Sequence, residues 1–394
     1  MRTAGNDIDT TVIVPAYNEA EGLPIVLEAL DSLQQPGVEV IVVDDGSSDG
    51  TAEVARQYPC RVLSHPTNMG KGAAMRTGIA AARGGKIVFV DADGTYPVES
   101  IVPMAAALDS YDVVIGVRSL GQRNTPITNR LGNALIRSIL RLLYGTPSRD
   151  PLTGLYGLRK PHLDRMGLAS SGFAIETEIA IKAARMELSH KNLAIAYSAR
   201  IGKTKLNPLR DGLRILRLIL SYAPMYSPTA VFTVPGAAAI ALGCSVLAFS
   251  GASGGIAFGS LGGPISSVLV LAGIQIVTLG TLADARTAAA LHAPLKPLGR
   301  LLRRRFVLLV LGCAGIGSLA LGALSLLQAA SSLAHAAAGQ ARPLWPFSLG
   351  LFFTVFGAQL LISLAALHFL CRGLHEAAPA GAGKQSPCGG IGAA

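Results

Sequence analysis

Acidic residues nearly vanish from the last two-fifths of the chain. Of the 24 Asp and Glu in the 394-residue sequence, only Asp284 and Glu376 fall after residue 229, beside nine Lys and Arg; residues 1–229 carry 22 acidic and 25 basic side chains. So few charges, with a mean hydropathy of +0.45 over the chain, exclude an ordinary water-facing surface for the second part. Cysteine is scarce too. Cys60, Cys244, Cys313, Cys371 and Cys388 lie scattered, with neither metal-ligand spacing nor a disulfide framework. Residues 1–10 are polar and hold no apolar leader run, so no cleavable signal peptide is expected and the first domain is expected to stay in the cytosol. The net charge of +10 arises largely in the second part and in helices near the junction. No basic patch interleaved with aromatics accompanies it, so the excess suits an anionic membrane surface and not nucleic acid. No G-x-G-x-x-G follows the first apolar run, and Lys71 is followed by Gly72 where a Walker loop needs Ser or Thr; both dinucleotide and P-loop sites are excluded.

What is present begins with short apolar runs alternating with helical patterns. Thr11–Val14, Val38–Val43, Arg61–Leu63, Ile87–Val90, Asp112–Gly116 and Ala194–Tyr197 predict strands. Between them, Glu21–Leu33, Thr51–Tyr58, Ala73–Ala82, 127–144 and a segment opening at 172–178 predict helices. This alternation predicts a mostly parallel central sheet with helices on both faces, an α/β domain. In such sheets ligands sit beyond the carboxyl ends of the strands. Three polar motifs, at 15–19, 44–50 and 91–97, follow strand ends and therefore converge on one crevice.

The second part carries four apolar stretches, about 230–251, 264–283, 306–330 and 345–371, each near the ~20 residues that cross a bilayer core. The 284–305 loop holds Arg286, Lys296, Arg300, Arg303, Arg304 and Arg305, whereas the other inter-span loops hold only Arg342. The positive-inside rule puts the basic loop, and with four crossings both termini, in the cytosol. The expected organisation is a cytosolic domain over 1–207, an interfacial amphipathic helix and linker over 208–229, a membrane domain over 230–376, and a Gly/Ala-rich disordered tail over 377–394. Within the linker, Arg210, Arg214 and Arg217 form a basic stripe beside Leu213, Leu216, Ile219 and Leu220, as an interfacial helix requires. Helix 127–144 sets Arg130, Arg137 and Arg141 apart from Leu131, Leu135, Ile139 and Leu142; a solvated face explains it as well as a membrane does. No internal repeat is visible.

Asp91 and Asp93 stand at i and i+2 where a buried strand ends. Such a pair suits a hard divalent ion that in turn holds a diphosphate. The Asn68–Gly72 turn fits either close helix packing or a contact from Lys71 to a phosphate. Arg118, Arg130, Arg200, Lys203 and Lys205 lie near strand ends or membrane-facing helices, as surface charges or as partners for anionic groups. Arg200 and Lys205, in a short loop before the interfacial helix, are best placed to meet a lipid phosphate.

The segments 12–19 (VIVPAYNE) and 43–51 (VDDGSSDGT), with Asn68-x-Gly70-Lys71-Gly72 and Asp91-Ala92-Asp93, resemble family 2 glycosyltransferases of GT-A fold. Asp150-x-x-Thr153-Gly154 and Arg200-x-Gly202-x-Thr204-Lys205-Leu206 look like the dolichyl-phosphate mannose synthase branch, the polyprenyl-phosphate glycosyltransferases. The resemblance covers about residues 10–225. It implies an inverting transfer of one hexose from a nucleotide sugar, GDP-mannose or UDP-glucose in type, to polyprenyl or dolichyl phosphate at the cytoplasmic membrane face. By this likeness Pro15, Tyr17, Glu19, Val42 and Asp44 hold the base and ribose, Asp91 and Asp93 hold Mg²⁺ or Mn²⁺, and Ala92 lines the pocket. Arg118 meets phosphate or sugar, and Arg118, Arg130, Arg200 and Lys205 face the acceptor phosphate; Asp93, Arg118, Arg200 and Lys205 carry the transfer. Glu176 either positions a sugar hydroxyl or faces its own helix dipole. The branch often has Gln where this chain has Thr95, and Ser-Gly-Phe where it has Thr153-Gly154-Leu155. A UDP-GlcNAc-dependent transferase and a non-catalytic nucleotide-sugar sensor or flippase partner are the alternatives. A processive synthase is excluded, because the only tryptophan, Trp345, lies outside a Gln-x-x-Arg-Trp motif.

Overall fold

The computed structural model describes residues 8–120, 127–201, 208–252, 262–302, 305–337 and 345–376. Lys203, Lys205, Arg303, Arg304, Arg342 and the 377–394 tail, each used in the reading above, lie outside the described residues, and Arg130 is described only as backbone. The chain divides into two units, one of 1–227 with 291–294 and one of 228–290 with 295–394.

The first unit runs β1 (Thr10–Ala16), α1 (Leu23–Ser32), β2 (Val38–Asp44), α2 (Thr51–Ala55), β3 (Arg61–Ser64), α3 (Lys71–Ala81) and β4 (Lys86–Phe89). It continues through α4 (Ile101–Ala107), β5 (Val113–Leu120), α5 (Ile127–Tyr144), β6 (Tyr156–Arg159), α6 (Lys160–Met166), α7 (Ile175–Arg185), β7 (His190–Ala196) and α8 (Pro208–Tyr226). Seven strands form one sheet in the order β3-β2-β1-β4-β6-β5-β7. It is mostly parallel, as expected, but β6 pairs antiparallel with both β4 and β5. The sequence reading missed β6, α6 and α4. Each is only four to seven residues long, and β6 contains Gly157, so hydrophobic periodicity had little to work on.

Alternation along the central strands builds two cores. Ile13, Ile41, Val43, Ile87 and Phe89 face one way and pack with α3, α5, α7 and α8. Val12, Val14, Val42, Val88 and Val90 face the other way and pack with α1 and α4. A side-chain period of two on a sheet covered on both faces makes such strands continuous apolar runs, and so legible from sequence.

Helix α8 buries Ile215, Ile219, Ala223 and Tyr226, while Leu209, Leu213 and Leu220 are exposed beside Arg210, Arg214 and Arg217. Helix α5 buries Ile136 and Leu140 and exposes Leu135 and, at 84 %, Leu142. Ile139, from the apolar side read in the sequence, packs against the core as well.

In the second unit a π-helical turn, Thr229–Thr233, leads into α9 (Val234–Ala252), followed by α10 (Gly262–Ala290), α11 (Pro297–Leu302), α12 (Arg305–Ala337) and α13 (Trp345–Glu376). Three spans among the described residues are long and apolar enough to cross a membrane: Thr229–Phe249, Gly262–Ala290 and Leu309–Ser331. In α13 the described apolar run is the shorter Gly350–Ala365. The pairs α9–α10 and α12–α13 pack closely; Gly236 and Gly273 lie backbone against backbone. Gln275 bonds Gln359 at 3.2 Å and Thr278 meets Ser363 at 3.2 Å, joining α10 to α13 by polar contacts. One expectation is corrected: 284–290 is not loop but the end of α10, and Asp284 there accepts a hydrogen bond from Lys296 N at 2.8 Å.

Candidate active site

Strand ends and one helix N-terminus bring the motifs together. After β1 the chain turns at Asn18, whose φ is +50°. The turn is tied to the segment after β2 by four backbone donors. Asn18 N bonds Ser47 Oγ (2.9 Å), Ser48 N bonds Asn18 Oδ1 (2.9 Å), Glu19 N bonds Thr51 Oγ1 (2.9 Å) and Ala20 N bonds Asp49 Oδ2 (3.0 Å). Asp44 is buried and accepts from Ser47 N at 3.2 Å. Asp45, unassigned in the sequence reading, accepts from Met69 N and Gly70 N at 2.9 and 2.7 Å and meets His65 Nδ1 at 2.7 Å. Pro15 and Tyr17 are half-buried at this rim. Val42 is fully buried in the core beside Val14.

Asp91 and Asp93 lie just past β4. Asp91 Oδ1 is 2.7 Å from Lys71 Nζ, and the same ammonium is 2.6 Å from Glu176 Oε1. Gly154 lies against the Asp91 carboxylate, and a Cβ there would come within 2.1 Å of Asp91 Oδ2 and push that side chain aside. Asp93 Oδ1 accepts from the Thr95 hydroxyl at 2.6 Å and from Thr95 N at 3.1 Å. Thr95, at the position where the branch often has Gln, is itself buried and spends its hydroxyl on Asp93. Asp93 Oδ2 pairs with Arg200 Nη1 at 3.0 Å, and Arg200 Nη2 pairs with Glu19 Oε1 at 2.6 Å. Residues 198–201 lie along this turn: Ser198 N bonds Thr95 O (3.0 Å) and Ile201 N bonds Asp93 O (3.1 Å). One guanidinium thus joins the β1 motif to the β4 motif. Its Nε is buried with no partner among the described residues.

Burial raises the Asp93 pKa and the neighbouring Asp91 charge adds to it; Thr95 and Arg200 only partly oppose this. Burial likewise lifts Glu176, against the pull of Lys71. For Lys71 burial favours the neutral amine, yet Asp91 and Glu176 outweigh it and hold the ammonium well above its ordinary value. Negative charge is therefore crowded here. Asp91 and Asp93, two hard oxygen donors just past β4, would suit a divalent cation. Among the described residues no group of three or more His, Cys, Asp or Glu forms a metal site. An ion such as Mg²⁺ takes one or two carboxylates and completes its shell with substrate phosphate and water.

Arg118, at the end of β5, is held by Asp150, with Nε and Nη2 at 2.6 and 2.7 Å from the two carboxylate oxygens. Burial alone would lower its pKa; the Asp150 pairing reverses that and raises it. The guanidinium lies 5.4 Å over the Tyr197 ring, Tyr197 meets Tyr96 edge-on at 5.4 Å, and Tyr96 Oη accepts from Gly154 N at 2.7 Å. The structure thus gathers Glu19, Asp91, Asp93 and Arg200, with Arg118 linked to them through an aromatic shelf. Asp150 and Tyr96 were not assigned roles from sequence, and Lys71, offered there a contact to a phosphate, meets Asp91 and Glu176. Asp150 stands in a motif that could have flagged it, Asp-x-x-Thr-Gly.

The profile of glycosyl transferase family 2 matches residues 11–166. A glycosyltransferase, AglJ, of Haloferax volcanii is 30% identical over 282 residues, 69% of this chain and 92% of that protein. A dolichyl-phosphate hexose transferase of the same organism is 31% identical over 214 residues, 54% of this chain and 92% of that protein. A dolichol-phosphate mannosyltransferase of Pyrococcus furiosus is 32% identical over 207 residues, 50% of this chain and 58% of that protein.

Proposed function

The chain belongs to glycosyl transferase family 2, in its dolichyl-phosphate sugar transferase-like branch, and from that premise we propose that it moves one hexose from a nucleotide sugar to a polyprenyl phosphate at the cytoplasmic face of a membrane. The observation that carries the reading is the Glu19–Arg200–Asp93 bridge beside Asp91, at the carboxyl ends of β1 and β4, in a chain that also carries membrane-length helices. Pro15, Tyr17, Glu19 and Asp44 line the base and ribose side, with Val42 behind them in the sheet and Ala92 against the turn. Asp91 and Asp93 would hold Mg²⁺ or Mn²⁺, which when bound would neutralise charge on the leaving nucleoside diphosphate.

The acceptor needs little activation. A phosphate monoester has a second pKa near ~6, so at neutral pH it already attacks as a dianion. The work left to the protein is to hold two anions together and to orient them. Arg200 is suited to this because its guanidinium already spans two carboxylates that the incoming donor reorganises. Arg118, fixed by Asp150, offers a rigid cationic edge for phosphate or sugar; Arg130 and Lys205 complete the acceptor side. The exposed leucines and arginines of α8 serve as an interfacial seat for the lipid substrate, and α13 is the fourth crossing.

Membranes carrying the protein, given polyprenyl phosphate, Mg²⁺ and radiolabelled GDP-mannose, UDP-glucose or UDP-GlcNAc in turn, test the reading. Label in lipid from one hexose donor is the expected result. Label only from UDP-GlcNAc would change the sugar class, and binding of donors with no lipid product would favour a nucleotide-sugar sensor.

A further inference from the structure

Lys71 has no part in the transfer just described, yet it is the most enclosed lysine near the crevice. It opens α3, whereas Asp91 follows β4 and Glu176 stands in the first turn of α7. Three segments remote in sequence meet at its ammonium, at 2.7 Å from Asp91 Oδ1 and 2.6 Å from Glu176 Oε1. Only 16% of the side chain is exposed, and the Phe173 ring covers it at 5.9 Å.

The backbone carrying Lys71 is fixed from two directions. Gly70 N donates to Asp45 Oδ2 at 2.7 Å, which anchors it to the end of β2. Gly72 N donates to Ser171 O at 2.7 Å, which anchors it to the strand of chain entering α7. Lysine is usually a mobile charge on a long stem. Here the stem is held at its base and the charge at its tip. Asp91 and Glu176, without that charge, would confront each other in a buried place where repulsion is poorly screened.

We propose that Lys71 is a positioning residue of the donor site: its ammonium ties Asp91 to Glu176 and so presents Asp91 in one orientation to the metal–nucleoside diphosphate. The inference rests on the transferase reading, with Asp91 and Asp93 at the metal. It differs from a direct grip of Lys71 on a donor phosphate, because Lys71 already spends two of its three N–H donors on carboxylates. Loss of a residue that orients a metal-ligating carboxylate typically costs 10–100-fold in metal affinity.

The test titrates Mn²⁺ into the full-length, detergent-solubilised protein with GDP or UDP present, following free Mn²⁺ by electron paramagnetic resonance. Wild type, Lys71→Met and the double variant Lys71→Met/Glu176→Gln are compared. Lys71→Met is expected to weaken Mn²⁺ binding by about 10–100-fold. Nucleotide affinity measured in EDTA is expected to stay within about twofold. The double variant is expected to bind Mn²⁺ at least about threefold more tightly than Lys71→Met, since it removes the carboxylate that Asp91 would otherwise face unscreened. It also has the smaller buried charge imbalance, and so gives a folded comparison where the single variant is unstable. Unchanged Mn²⁺ affinity in both variants, or a tenfold loss of nucleotide affinity in EDTA, overturns the proposal. No acceptor or transfer enters this titration, so it can fail while the donor panel succeeds, and the reverse.

Discussion

At the scale of single residues, the crevice is a set of carboxylates held largely by a few shared cations. Asp93 meets Arg200, Asp91 meets Lys71, and Asp150 meets Arg118. Buried pairs of this kind owe little to Coulomb gain alone, but removing one partner strands the other. Asp93 is the member whose loss bears most directly on transfer. Asp93→Ala is expected to lower hexose transfer by at least ~10²-fold, the scale of a lost charge-stabilising group. The protein should still appear in the membrane fraction, because Asp93 belongs to neither apolar core. Transfer at wild-type rate in that variant would sink its assignment to the donor site.

At the scale of elements, α3 packs closely, backbone against backbone, on the segment leading into α7. A Cβ on Gly72 would come within 2.2 Å of Ser170 O, which is backbone and cannot swing aside. Gly72→Ala is therefore expected to cost about 1–3 kcal/mol, the usual range for overpacking, and to lower the thermal midpoint of the solubilised protein by several degrees. A midpoint equal to wild type would show that the segment can give way. The same segment is held from α7 by Glu178, which accepts from Ala169 N and Ser170 N and pairs with Lys182 at 2.6 Å, with Tyr222 of α8 donating at 3.1 Å. Burial alone would raise the Glu178 pKa, but Lys182 and the backbone donors outweigh it and hold it below 4.5. A depressed carboxylate contributes stability that is complete above its unfolded value and is lost as pH falls through its folded value. The thermal midpoint should accordingly fall as pH drops below about 4.5. Glu178→Gln should flatten that part of the profile; an identical slope in the variant would remove Glu178 from the account.

At the scale of the whole molecule, the prediction concerns sidedness. Lys296 and Arg300 flank or occupy α11 between α10 and α12, and on the proposal of four crossings this segment would be cytosolic. In a variant stripped of native cysteines, a cysteine at position 298 should react with an impermeant maleimide only from the cytoplasmic side. One at position 342 should react only from the opposite side. Labelling of both from one side would remove α12, the helix between them, as a span. Much of this architecture was legible in the chain itself. The central parallel strands β1, β2 and β4 are buried on both faces and so hold unbroken apolar runs, and the spans are longer runs of the same kind. The motifs at 15–19, 44–50 and 91–97 could be placed at strand ends because polar residues stop a buried strand. Such features depend on neighbours in sequence, and sequence by itself determines them. The partners of the charges do not. That Lys71 sits between Asp91 and Glu176, that Asp150 holds Arg118, and that Arg200 closes onto Glu19 at a separation of 181 residues follow from where distant segments meet. The antiparallel course of β6 belongs with them, since its place between β4 and β5 is set by pairing and not by its own four residues. Ion pairing and strand pairing act across space, so only the tertiary structure decided them.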